Sequence, residues 1–195
     1  MQNPFQSVAI VATPLHLRVQ VELAKMLKAR HGSQIHIFCL RAAHVATYAE
    51  AFGADVCDSI TVAATVLLDE YPTGLDEQEV IARARAFEER FDAPMNSLVL
   101  QNRHHGRGFA PGGYFHPRSR HSETVSYVQM LEAYNRALSF WETSLVEKGI
   151  TLLLWGYTES DLVAHALDIP VRVLCGGRFK TYWQWAEGMY DDAPA

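Results

Sequence analysis

Cysteine is scarce in this chain and nowhere forms a CxxC pair: Cys39, Cys57 and Cys175 stand singly in or beside apolar runs. An odd, scattered set excludes a disulfide framework and predicts buried thiols in a reducing compartment. Excess positive charge is also missing. The formal charge is -5, which argues against bulk nucleic-acid binding. Long apolar runs are absent: stretches such as 8–12 and 152–155 are far too short to cross a bilayer. The first residues lack the basic-then-apolar pattern of a secretory leader, so a cytoplasmic location is expected, with peripheral membrane contact left open. No repeat or low-complexity tract is present. Neither GxGxxG, GxxxxGKS/T nor GxSxG occurs, which disfavours dinucleotide, P-loop and serine-hydrolase readings.

What is present suits an ordinary core. Hydrophobic residues make up 49% and charged residues 20% of 195 positions, a composition and length that fit one domain. Ser7–Ala12 reads as a short buried strand. Thr13 follows as a helix N-cap with Pro14 at the first helical position, then Val19, Leu23, Met26 and Leu27 recur at helical spacing up to Gly32. Residues 34–40 read as a second strand, 42–52 as a helix closed by Gly53, and 55–62 as a third strand. The β-α-β-α-β order predicts an α/β, Rossmann-like three-layer domain with a mostly parallel sheet and right-handed crossovers.

Beyond it, 76–91 has helical composition and many charges, and Met95–Gln101 is ambiguous between strand and helix. Residues 103–121 read as a long loop, with Ser122 as the cap of the next helix. In that helix Val125, Val128, Leu131, Tyr134, Leu138, Trp141 and Leu145 mark one buried stripe, ended by Gly149. A strand over 150–155 and a helix over 158–167 follow, the helix opened by a capping box of Thr158 and Asp161. A strand over 170–174 comes next, then an aromatic segment over 178–190 with helical character.

In open parallel sheets ligands bind beyond the carboxyl ends of the strands, where helix N-termini point. Two turns fit that description: Ala12, Thr13, Pro14, Leu15, His16, and Trp155, Gly156, Tyr157, Thr158, Glu159. His16 lies just after the first strand, and a histidine in such a turn suits a general base; a solvent-exposed or capping histidine is the plain alternative. The sharpest feature is the run containing Arg103, His104, His105 and Arg107, then His116, Arg118, Arg120 and His121, with no carboxylate among them. Arginine forks match phosphate and carboxylate oxygens, and Gly106, Gly108, Gly112 and Gly113 let backbone amides approach an anion. A basic loop paired with acids such as Glu88 and Glu89 is the competing reading. No recognised zinc spacing occurs there, so no metal is expected. Phe179, Tyr182, Trp183, Trp185 and Tyr190 favour packing or an interface over stacking on a sugar or base.

The turn Thr13, Pro14, Leu15, His16 resembles the start of several bacterial GT-B glycosyltransferases, including sialyltransferase-like ones. A later pattern resembles the N-terminal region of capsular or surface polysaccharide biosynthesis proteins. It comprises Arg103-His104, Gly106 through Phe109, His116 through Arg120, Tyr134-Asn135, Phe140-Trp141-Glu142, Lys148 through Thr151, Ile169-Pro170 and Gly177 through Lys180. The resemblance covers most of the chain. It implies either one Rossmann-like domain over 1–195 or the acceptor-side half of a two-domain GT-B enzyme, with a second domain as its partner. It further implies a nucleotide-sugar donor as substrate rather than a cofactor, and His16 as base. His116-Pro117 resembles the His-Pro pair that contacts the donor phosphate in bacterial sialyltransferases, although there the pair lies in the second domain.

The leading expectation is glycosyl transfer. His16 deprotonates an acceptor, Thr13 lies in the same turn, and Arg103, His104, Arg107, His116, Arg118 and Arg120 hold an acidic glycan or phosphate oxygens. The alternative is a non-catalytic module that binds an anionic glycan or nucleotide through the same loop; a scaffold protein is a third reading. The first two require the arginine–histidine run to lie over the sheet's carboxyl rim beside His16.

Overall fold

Six consecutive apolar or small residues, Ser7–Ala12, form β1, and all six are buried. A strand covered on both faces is the signature of a central position in a parallel sheet. α1 (Leu17–His31) follows and ends on Gly32, whose φ of 64° supplies the left-handed C-cap. β2 (Gln34–Cys39) pairs in parallel with β1, from Ser7 opposite Gln34 to Ala12 opposite Cys39. A 3-10 turn (Ala42–His44) leads into α2 (Val45–Phe52), and β3 (Ser59–Val62) adds to β2. α3 (Glu77–Phe91), α4 (Met95–Gln101) and α5 (Tyr127–Glu147) come next. β4 (Leu152–Leu154), α6 (Thr158–Ala166), β5 (Val171–Gly176) and β6 (Trp183–Ala186) complete the chain order.

This computed structural model describes residues 3–66, 68, 70–101, 125–176 and 182–188. Two compact units are distinguished: Met1–Ala63 with Trp141–Ala195, and Ala64–Phe140. Among the described residues no helix is long and apolar enough to cross a membrane.

The first unit holds the sheet, in the order β3-β2-β1-β4-β5-β6. Five strands are parallel and β6 runs antiparallel to β5. The α/β, Rossmann-like expectation is therefore met. Right-handed crossovers put α1 and α2 on one face and α6 on the other. The chain moves outward from β1 through β2 to β3, then returns to the opposite side of β1 as β4. That reversal makes a topological switch point at the carboxyl ends of β1 and β4. Phe38 packs on Trp141 with ring centroids 4.9 Å apart, in a core that also takes in Ile10, Ile35, Ile37 and Leu153.

The second unit is helical. Asp76 caps α3 by accepting from the amides of Gln78 and Glu79. Glu132, on α5, is buried and paired with Arg83 and Arg136. Asn135 Nδ2 donates to the Val80 carbonyl at 3.0 Å, which ties α5 to α3. Of the expected stripe, Leu131, Tyr134, Leu138, Trp141 and Leu145 are buried on α5, while Val128 is half-buried and Val125 precedes the helix, which begins at Tyr127. Met95–Gln101, ambiguous in sequence, is helical.

Several expectations need correction. Thr13 does not cap α1: its amide is taken by Gln20 Oε1 at 3.1 Å and its carbonyl by the His16 amide at 3.3 Å. The chain thus makes one separate turn, and α1 starts four residues later, at Leu17. The third strand is shorter than 55–62, because the amides of Val56 and Cys57 turn back onto the Gly53 carbonyl. The capping box on α6 starts one residue earlier than Thr158: Tyr157 is the N-cap, and the Ser160 hydroxyl accepts from the Tyr157 amide at 2.7 Å and donates to the Tyr157 carbonyl at 3.0 Å. Trp183–Ala186 is a strand rather than a helix, since the outer edge of β5 offers it a ladder from Val173–Ala186 to Gly176–Trp183.

Candidate functional site

Gln20 organises the first turn. It is fully buried on α1, and its side chain reaches back so that Nε2 donates to the Val11 carbonyl at 2.9 Å while Oε1 accepts from Thr13. The carbonyl of Val11, next to last in the strand, and the first amide of the turn are thereby satisfied inside the protein. His16 occupies the N-cap position of α1, yet its side chain makes no capping bond. Its Nδ1 lies 3.4 Å from Thr13 Oγ1. With Nδ1 carrying the proton toward that oxygen, Nε2 presents a lone pair. Nε2 is buried and has no hydrogen-bond partner among the described residues. The histidine is therefore neither a helix cap nor a solvated surface ring, the two plain alternatives.

Aromatic rings surround it. Trp183 meets the imidazole edge-on, with centroids 5.5 Å apart, and Trp155 lies at 6.1 Å, tilted by 32°. Trp185 in turn packs on Trp155 at 5.3 Å. Trp183 of β6 and Trp155, just after β4, thus flank the turn after β1, and Trp185 packs behind Trp155. The packing reading of the aromatic segment holds for Trp185. It covers less of Trp183 and Tyr182, which stay 56% and 69% exposed. Phe179 and Tyr190 lie outside the described residues.

The second turn carries two departures from ordinary geometry. Trp155 has φ 55°, a left-handed conformation that costs a bulky residue about 1–3 kcal/mol. Its indole Nε1 is buried without a hydrogen-bond partner among the described residues. Gly156 lies against α6: a Cβ there would come 1.8 Å from Asp161 Oδ1 and 2.9 Å from Leu153 Cδ2. Only glycine lets the Asp161 carboxylate pack on this turn.

Glu159, in the first turn of α6, closes the second turn, where it had a place in the sequence pattern but no role. Burial pushes its carboxyl above the ordinary carboxylate range, and the hydrogen bond from its own backbone amide only partly opposes this. Its position after β4 was legible; its desolvation was not. The folded pKa exceeds the unfolded value of 4.5, so this group's contribution to stability is complete below about 4.5 and is lost as pH rises through the folded value. Glu159→Gln is expected to raise the unfolding midpoint at pH 7 and to leave it unchanged at pH 4. Equal shifts at both pH values in thermal melts would contradict this.

The cysteines stand away from nucleophilic chemistry. Burial, with Cys57 nearby, pushes the Cys39 thiol up to about 11, and burial raises Cys57 as well. Among the described residues no cluster of three or more His, Cys, Asp or Glu is placed to hold a metal.

The two turns predicted to face a ligand are brought together at the switch point, with His16 and Thr13 in the first. Arg103, His104, Arg107, His116, Arg118 and Arg120 lie outside the described residues, as does Ser122. No protein-family model, no curated protein and no solved structure matches this chain.

Proposed function

We propose that this chain is the acceptor-side domain of a glycosyltransferase of bacterial surface or capsular polysaccharide biosynthesis, with His16 as the proton acceptor. The observation that carries the reading is the His16 ring itself. A histidine nitrogen without a protein partner sits at the switch point of a Rossmann-like sheet, among tryptophan rings of the kind that stack on sugars.

In the proposed step the acceptor hydroxyl gives its proton to His16 Nε2, and its oxygen attacks the anomeric carbon of the donor. The bond from that carbon to the nucleotide phosphate breaks, and the electron pair leaves with the phosphate. Cationic donors stabilise the charge that builds there; Arg103, Arg107, Arg118 and Arg120, with His104 and His116, are the groups assigned to that anion. Thr13 orients the ring through Nδ1.

The test is incubation of the protein with UDP-, GDP- and CMP-linked sugars and oligosaccharide acceptors, following nucleotide release and product mass. Acceptor-dependent release supports transfer. Binding without release assigns the chain to the non-catalytic module, and the absence of both release and binding overturns any carbohydrate role.

A further inference from the structure

Trp155 combines two costs that the proposed reaction does not use. It is 3% exposed and its indole N–H has no acceptor, so burial has removed water from a donor without replacing it. Its backbone is also held at φ 55°. Packing alone does not account for a tryptophan here: a phenylalanine would fill much of the same space with no donor to satisfy. Buried unpartnered donors and strained backbone together mark places where a ligand completes the hydrogen bonding.

The neighbouring ring narrows the chemistry. An indole N–H only donates, and the lone pair of a neutral imidazole only accepts. A carboxylate or fully ionised phosphate serves the first and not the second; a hydroxyl serves both. Trp183 stands perpendicular to the His16 ring, with centroids 5.5 Å apart. It sits on β6, the last strand of the sheet, with a ladder partner on one side only, so its displacement breaks little.

We propose that Trp155 is a ligand-binding residue whose indole N–H donates to a hydroxyl oxygen of a carbohydrate ring held beside His16, and that Trp183, which packs on His16, is the side chain that moves to admit the sugar. The inference rests on the carbohydrate reading of the switch point and adds a specific donor to it.

The indole region of a 15N–1H spectrum tests it, since the chain has four tryptophans. Methyl glucoside and methyl galactoside at tens of millimolar are one arm, and inorganic phosphate the other. The Trp155 N–H signal is expected to move downfield and exchange more slowly with the glycosides, with the Trp183 signal moving in step. Trp155→Phe should weaken glycoside binding about tenfold. Side-chain to backbone correlation assigns the signal even where that variant fails to fold. A Trp155 signal that no glycoside moves, or that phosphate moves instead, overturns the inference. Absent glycosyl transfer with a responsive Trp155 removes the transferase reading alone; transfer with a silent Trp155 removes this inference alone.

Discussion

His16→Asn is expected to lower glycosyl transfer by about 10²–10⁴-fold, the usual worth of a positioned general base. Asparagine is the informative replacement. Its amide occupies roughly the place of Nδ1, so the contact with Thr13 Oγ1 at 3.4 Å is retained in kind, while Nε2 is removed. His16 has no capping bond to lose, so the unfolding free energy should change by no more than about 1 kcal/mol. Loss of rate at nearly constant stability separates a chemical role from a packing one. His16→Gln, whose longer side chain carries an amide near the Nε2 position, should keep more ligand binding than His16→Asn but no more turnover. Variants as active as the parent would end the assignment of His16 as base.

Gly156→Ala is the largest structural effect expected. Its new Cβ would sit 1.8 Å from Asp161 Oδ1 and 3.0 Å from Asp161 Cγ. Asp161 is short, buried and fixed on the first turn of α6, and Leu153 on the other side is buried as well. Neither neighbour can withdraw as a long exposed side chain would. Overpacking of this kind costs about 3 kcal/mol. Gly176→Ala is the matched control, because a Cβ there meets nothing within 4 Å. Urea unfolding should therefore show a clear drop in midpoint for the first variant and almost none for the second. The displaced α6 turn should also disturb Trp155, giving a change in tryptophan fluorescence already in the folded state.

The sheet was legible in the sequence where one local signal sufficed. Ser7–Ala12 is a continuous apolar run between turn residues, and its strand coincides with the reading. Gly32, Gly53 and Gly149 all adopt positive φ at the ends they were read to mark. What failed depended on contacts distant in sequence. Trp183–Ala186 is a strand only because β5 has an open edge, and nothing in an aromatic tetrapeptide announces that edge. The start of α1 was misplaced because Gln20, a polar residue in a helix, turned out to be a fully buried brace for Thr13 and Val11.

The candidate site divides in the same way. Both turns were found from the rule that ligands sit at strand carboxyl ends, and the strand order places them at the reversal. The converging rings could not be anticipated. Trp155 adopts a conformation that a bulky side chain rarely takes, and Trp183 reaches His16 from the far end of the chain. Glu159 was visible as an acid in a first helical turn, where charge is normally favoured. Its raised pKa follows from burial that sequence spacing does not reveal.

Backbone amide shifts on titration with methyl glycosides and nucleotide-sugars test most directly whether the reversal between β1 and β4 is where this protein holds its ligand. The largest changes should fall on Thr13, Leu15 and His16 and on Trp155 through Thr158. Changes confined to the opposite rim, around Gly32, Ser33 and Asp58, with those two turns silent, would contradict it.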